Sequence, residues 1–179
     1  AHGSDINISG RQRTLRPQIR WALRRARRVI AVSAPLAQAV AELTDLPADR
    51  VLCIPCAGYS PAVFRRRDSG ERAALRKSLG VADEDRVVLF VGHLVPVKAL
   101  DVLLRAWAAL TERPGVGAHL RLLLIGEGTQ RDTLEQQARE LGLADQVAFL
   151  GPKPQPAVAD WIAAADLLTL PSHAEGSPN

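Results

Sequence analysis

The sequence predicts an α/β chain built on a doubly wound parallel sheet. Short apolar runs, rich in Val, Leu and Ile, alternate with helical patterns of about ten residues. The runs are apolar throughout, as strands must be when helices cover both faces. Turn residues close them: Gly92, Gly126, Gly151 and Pro171 each follow a run or end one. With 179 residues and 47% hydrophobic content, there is enough apolar material for a core.

The elements follow in order. Pro17 to Arg28 reads as a helix, with Ile19, Ala22 and Ala26 on one stripe and Arg16, Arg20, Arg24 and Arg27 opposite. Val29 to Val32 reads as a buried strand. Ser33 is a candidate cap, with Pro35 in the first turn of a helix to Leu43. Val51 to Pro55 is the next strand, and Gly58 to Pro61 is a turn-rich boundary. Arg72 to Leu79 is a short helix stopped by Gly80. Strands are then expected at Val87 to Val91, Leu120 to Ile125, Val147 to Leu150 and Leu167 to Leu170. Helices are expected at Leu100 to Glu112, Gln130 to Leu141, and from the Pro-rich loop Gly151–Pro156 to Ala165.

Charge is uneven. Residues 1–28 hold eight Arg and one Asp, a net +7, and the rest of the chain carries −3. The basic segment suits an anionic partner such as a lipid surface, nucleic acid or phosphate, or it is a solvated helix face. Every apolar run is interrupted well short of the roughly 20 residues a membrane span needs. Residues 1–10 lack the basic start and apolar stretch of a secretory signal. The chain contains no Met and stops at Ser177-Pro178-Asn179, where a helix is due to start, so a fragment cut at both ends is expected.

Cys53 and Cys56 have the spacing of a redox pair and of half a zinc site. Zinc needs two more ligands, and the four His are scattered. A redox pair needs a helix N-terminus, whereas this one closes a strand. Two structural thiols in a reducing compartment are expected.

Ligands of open parallel sheets bind outside the carboxyl ends of the strands. Gly92-His93-Leu94-Val95-Pro96-Val97-Lys98 combines close backbone access, side-chain donors from His93 and Lys98 and a following helix start, which makes a usable anion site. An ordinary loop with a surface Lys is the competing reading. Gly126-Glu127-Gly128 gives close approach at a strand-to-helix turn, but Arg131 breaks the dinucleotide fingerprint, which disfavours a hydride-transfer cofactor. Ser172 to Asn179 places Glu175 beside Gly176 and ahead of Pro178, so backbone N–H groups can meet a phosphate while the carboxylate accepts sugar hydroxyls.

These loops together resemble the retaining family-4 glycosyltransferases, which have the two-lobed GT-B-type fold with Rossmann-like sheets. The likeness is carried by Arg28 to Ser33, Ile54 to Gly58 with Phe64, Val91 to Lys98, Ile125 to Gly128, Phe149 to Gly151, and Ala164 to Asp166 through Pro171 to Asn179. Residues 2–7 resemble a strand end of the acceptor lobe. The resemblance implies that residues 1–57 close the acceptor lobe and residues 58–179 form most of the nucleotide-sugar donor lobe. It implies transfer of a sugar, with retention, from a nucleotide-diphosphate donor to a glycan, lipid or small-molecule acceptor in cell-envelope or exopolysaccharide synthesis. Glu175 and His2 take the catalytic positions. Lys98 and His93 would meet the diphosphate, Gly126, Glu127 and Gly128 the nucleotide, and Gly176, Ser177 and Asn179 the phosphates through their backbone. No metal and no cofactor are implied, because cations and helix termini stabilise the leaving diphosphate.

The family usually has Arg where His93 stands, Gly where Ala99 stands and Asn where Cys56 stands. Its second Glu, eight positions after Glu175, falls past Asn179, so this chain by itself is expected to bind a nucleotide without transferring sugar. A cytoplasmic protein is expected, touching the inner face of the plasma membrane through its Arg-rich helix. The alternatives are a nucleotide-sugar epimerase of the same fold and a non-enzymatic nucleotide- or nucleic-acid-binding module. A nucleic-acid partner is disfavoured, because Trp21 is the one aromatic residue in the Arg segment and the chain is 4% aromatic.

Overall fold

The computed structural model describes residues 6, 10, 12–55, 58, 60–113, 115 and 117–175. The chain divides into two compact units, Ala1–Tyr59 with Glu175–Asn179, and Ser60–Ala174. The division falls inside the turn-rich stretch, and Glu175 groups with the first unit.

In the first unit, α1 (Arg16–Arg25) leads to β1 (Val29–Ala31), α2 (Ala34–Thr44), a 3-10 turn (Ala48–Arg50) and β2 (Val51–Cys53). The two strands are parallel, with Val29 opposite Val51 and Ala31 opposite Cys53. Val29 and Ala31 face a core of Ile6, Leu36, Val40 and Leu43, and Ile19, Leu23 and Ala26 of the α1 segment pack against it. The inward stripe therefore runs through Leu23 rather than Ala22, because the larger side chain removes more apolar surface from water. Arg20 is not free on the opposite face: it pairs with Asp45, the left-handed cap of α2 (φ 55°). Arg50 donates to the carbonyls of Arg24 and Ala26, closing the C-terminal end of α1. The strand at Val29 is shorter than expected and buried on one side only, since Ile30 is 50% exposed. Ser33 does stand at the cap of α2 but makes no capping bond; its Oγ is buried with no hydrogen-bond partner among the described residues.

The second unit opens with α3 (Ser69–Ser78). The helix begins three residues before the expected Arg72. A capping box explains this: the Glu71 N–H donates to Asp68 Oδ1 at 2.8 Å, and the Asp68 N–H donates to Glu71 Oε2 at 3.1 Å. Then come β3 (Arg86–Val91), a 3-10 turn (Pro96–Lys98), α4 (Leu100–Thr111), β4 (Leu120–Ile125), α5 (Arg131–Glu140), β5 (Val147–Gly151), α6 (Gln155–Ala164) and β6 (Leu167–Leu168). The sheet is parallel, in the order β5-β4-β3-β6.

Alternation along the strands sends side chains to two cores. Phe90, Leu122 and Leu124 pack with Leu100, Leu104 and Trp107 of α4 and Leu134 and Ala138 of α5. Val87, Leu89, Leu123 and Ile125 pack on the other face with Val81, and with Val158, Trp161 and Ile162 of α6. Helices therefore cover both faces, and the doubly wound expectation holds for this unit. Each fully buried Leu contributes roughly 1.5–3 kcal/mol, well above the tenths that helix propensity supplies per residue. The exception is β6, which is shorter than expected: it pairs only with Val88 and Leu89, and Leu167 and Leu168 are exposed.

Arg76 ties the amino edge together. It is buried, and it donates to the carbonyls of Ala164, Ala82 and Asp85 at 2.7–2.9 Å, with Asp166 at 3.4 Å. Arg72 adds bonds to the carbonyls of Ala163, Ala164 and Ala165 and to Asp166. Two guanidinium groups thus meet the unpaired C-terminal carbonyls of α6, where the helix dipole favours cations.

Candidate functional site

Three of the loops at the carboxyl ends of the strands are joined to one another through their backbones. The N–H of Gly92 donates to Ile125 O at 2.9 Å, and the N–H of Leu94 donates to Glu127 O at 2.9 Å. In return the N–H of Gln130 donates to Leu94 O at 2.9 Å. The Gly126 N–H reaches Gly151 O at 3.0 Å, and the His173 N–H reaches Val97 O at 2.9 Å. The loops after β3, β4 and β6 are thereby fixed against each other, with the end of β5 joined to the same set.

Glycine makes that approach possible at two places. Gly126 has φ 142°, and a Cβ there would overlap the carbonyl oxygen of Gly92. A Cβ on Gly128 would overlap the backbone of Leu94. Leu94 is 1% exposed and belongs to the core beneath, so the loop after β3 is anchored from below. This anchor escaped the sequence reading; the signal was a single apolar residue inside an otherwise polar, glycine-started loop.

On this frame His93 is exposed and Lys98 is half-buried at the end of its 3-10 turn. Ala99 follows in the left-handed region (φ 52°), where glycine is the unstrained residue, and it caps α4. Glu127 is exposed and pairs with Arg131, whose Nε donates to Glu135 Oε1 at 2.9 Å. The two carboxylates push the Arg131 guanidinium pKa upward, with the Glu127 hydrogen bond the larger cause. Both Glu127 and Arg131 lie against Gly151 (φ 69°): a Cβ there would stand 3.5 Å from Arg131 Nη1 and 3.8 Å from Glu127 Oε1. Sequence reasoning noticed Arg131 only as a break in a fingerprint; the four-residue spacing Glu127, Arg131, Glu135 carried the pairing.

Of the other residues singled out, Glu175 is described and exposed, while His2, Gly176, Ser177 and Asn179 lie outside the described residues, as does Cys56. Cys53 is an exposed free thiol. No group of three His, Cys, Asp or Glu side chains is arranged to hold a metal ion among the described residues. A groove of about 650 Å³ lined by Thr111, Arg113, Arg121, Asp145 and Gln146 lies at the opposite edge, where β4 and β5 begin. That is the wrong edge for a ligand of an open parallel sheet.

The family model described as "Glycosyl transferases group 1" matches residues 71–178. The chain is 40% identical over 156 residues to a D-inositol 3-phosphate glycosyltransferase of Thermobispora bispora, a match covering 84% of this chain and 36% of that protein. A protein of the same name from Nocardia farcinica is 39% identical over 155 residues, covering 84% and 33%. The chain thus spans about a third of the length of the curated relatives it matches. Among solved structures, Anabaena HepE in complex with UDP-glucose matches with a TM-score of 0.74 at 28% identity, covering 90% of this chain and 43% of that one. Sucrose-phosphate synthase from Thermosynechococcus elongatus matches with a TM-score of 0.77 at 24% identity, over 98% and 43%, a likeness of fold.

Proposed function

The chain belongs to the group 1 glycosyl transferases and has the GT-B-type fold, and from that premise we propose that it is the nucleotide-sugar-binding part of a sugar-transferring enzyme. The donor is a nucleoside diphosphate sugar, and the UDP-glucose complex of HepE supports a uridine nucleotide. Residues 58–179 supply most of the donor lobe and residues 1–57 the end of the acceptor lobe. The observation that carries the reading is the backbone-locked set of loops after β3, β4 and β6. Its glycines, Gly126 and Gly128, let the loops close on one another, and it places one half-buried cation, Lys98, in the same loop as Leu94.

The chemistry follows from charge. Breaking the sugar–phosphate bond leaves negative charge on the diphosphate, and fixed donors in the site stabilise it as it develops. Lys98 takes this role, with His93 a second donor. Glu175 accepts hydroxyls of the donor sugar, Gly176, Ser177 and Asn179 offer backbone donors, and His2 serves the reacting centre; these roles rest on the family resemblance. Transfer proceeds with retention and needs no metal. The names of the relatives favour a small phosphorylated polyol of the inositol phosphate kind as acceptor over a glycan. The α1 segment contacts anionic lipid. Its Arg16, Arg24, Arg25, Arg27 and Arg28 are exposed, and Trp21, 60% exposed, lies under Arg25.

The test is calorimetric titration of the chain with UDP, GDP, ADP and pyrophosphate. Saturable binding of one nucleoside diphosphate, weakened in Lys98→Ala, supports the reading. A folded chain that binds none of them, in this form and in the full-length protein, overturns it.

A further inference from the structure

The structure assigns Arg131 as a positioning residue that holds Glu127 at the nucleoside end of the donor site. This inference rests on the donor-site reading above and deepens it. Glu127 stands on the loop after β4, next to Gly126, at the edge where an open parallel sheet takes its ligand. Oε1 of Glu127 is engaged by Arg131 and lies near Gly151, the residue ending β5. Its second oxygen has no hydrogen bond recorded among the described residues, and the side chain is 47% exposed.

An exposed carboxylate on a loop samples several rotamers, and ordering it on binding costs free energy. Arg131 removes much of that cost in advance. Its guanidinium is itself fixed from the other side by Glu135 at 2.9 Å, and its side chain is only 29% exposed. A planar fork held between two carboxylates has little freedom left, so Glu127 is pinned through one oxygen while the other is left to accept from a ligand. Gly151 completes the arrangement: with φ 69° and no side chain, it leaves the space beside the pair open. The free oxygen is acceptor-only, so it suits a hydrogen-bond donor of a nucleoside, either a ribose hydroxyl or an N–H of the base. It repels phosphate, which places the diphosphate away from Glu127, on the Lys98 side of the site.

The test compares wild type, Glu127→Gln, Arg131→Ala, Arg131→Lys and the double variant Glu127→Gln/Arg131→Ala. Each is titrated with UDP, 2′-deoxy-UDP, N3-methyl-UDP and pyrophosphate, and its melting temperature is recorded. Glu127→Gln and Arg131→Ala should each weaken UDP about five- to twentyfold, leave pyrophosphate unchanged, and combine to no more than either alone. Arg131→Lys should recover part of the affinity, since its ammonium can still pair with Glu127 but cannot be held by Glu135 at the same time. If 2′-deoxy-UDP is insensitive to Glu127→Gln, the donor is the ribose hydroxyl; if N3-methyl-UDP is, the donor is the base. Effects that add, an equal loss for pyrophosphate, or unchanged UDP affinity in a folded Arg131→Ala overturn the assignment while leaving the donor site intact. A wild type that binds no nucleoside diphosphate removes the donor site, and this assignment with it.

Discussion

Gly126 and Gly92 meet backbone to backbone: the Cα hydrogen of one occupies the only space the carbonyl oxygen of the other leaves. Any side chain at Gly126 must drive the loops after β3 and β4 apart. Gly126→Ala should therefore cost more than about 2 kcal/mol in urea unfolding, combining overlap with a φ that L-residues avoid. Gly142 is the control. It also has positive φ (69°), but nothing lies within 4 Å, so Gly142→Ala should cost only the left-handed penalty of about 1–2 kcal/mol. Equal costs at the two sites would show that the loops separate freely.

Ala99 occupies a left-handed position with φ 52° and is 1% exposed. Glycine would relieve about 1–2 kcal/mol of backbone strain and forgo roughly 0.8 kcal/mol of methyl burial. Ala99→Gly should be neutral or stabilising by up to about 1 kcal/mol. A clear loss of stability in thermal unfolding would mean that the methyl group does more than fill space.

Asp166 should make stability acid-sensitive. Partial burial acts to raise its pKa, but the Val87 N–H, the Arg72 hydrogen bond and the charges of Arg76 and Arg72 outweigh it, and the carboxyl lies below its usual range. A depressed carboxyl contributes stability above its unfolded pKa of about 3.9 and loses it as pH falls through the folded value. Glu71 behaves in the same direction: Arg65, then the Asp68 N–H, hold it down to about 2. Asp166→Asn should be clearly destabilising at pH 6, and the gap to wild type should shrink at pH 3. A gap independent of pH would show that the carboxylate charge is irrelevant. Arg76→Leu should be costlier, about 3–5 kcal/mol, because it strands three carbonyls and uncovers Asp166.

Lys98→Ala should weaken nucleoside diphosphate binding roughly ten- to hundredfold, the range expected for one charge-assisted bond. His93→Arg should strengthen the same binding about three- to tenfold, because a guanidinium grips phosphate through two parallel donors and stays charged at every working pH. Titration calorimetry against UDP and pyrophosphate reads both. Unchanged affinity in Lys98→Ala would move the diphosphate elsewhere.

The order of elements in the second unit was legible because strand and helix signals there are long and clean. Leu120–Ile125 is apolar at every position but Arg121, and the strand has the bounds this run predicts. Boundaries failed where polar chemistry set them. The start of α3 was written in Asp68 and Glu71, three positions apart, but no apolar residue marks that turn. The end of β6 failed for the opposite reason: Thr169 and Leu170 look like strand, yet the register with β3 covers only Leu167 and Leu168, and the bond from the Thr169 N–H to the Leu89 carbonyl is the last one on that edge among the described residues. At the candidate site, glycines at strand ends pointed to the loops that the structure joins through their backbones. What binds those loops together was invisible, because a backbone N–H and a backbone carbonyl leave no residue-type signature.

That last property has an evolutionary consequence. The links between these loops, from the His173 N–H to the Val97 carbonyl and from the Leu94 N–H to the Glu127 carbonyl, are indifferent to the side chains those residues carry. Positions such as His93, Val97, Glu127 and His173 can therefore exchange their chemistry while the loops keep their shape. A lineage using this scaffold can drift from one ligand to another by single substitutions, each leaving behind a protein that still folds.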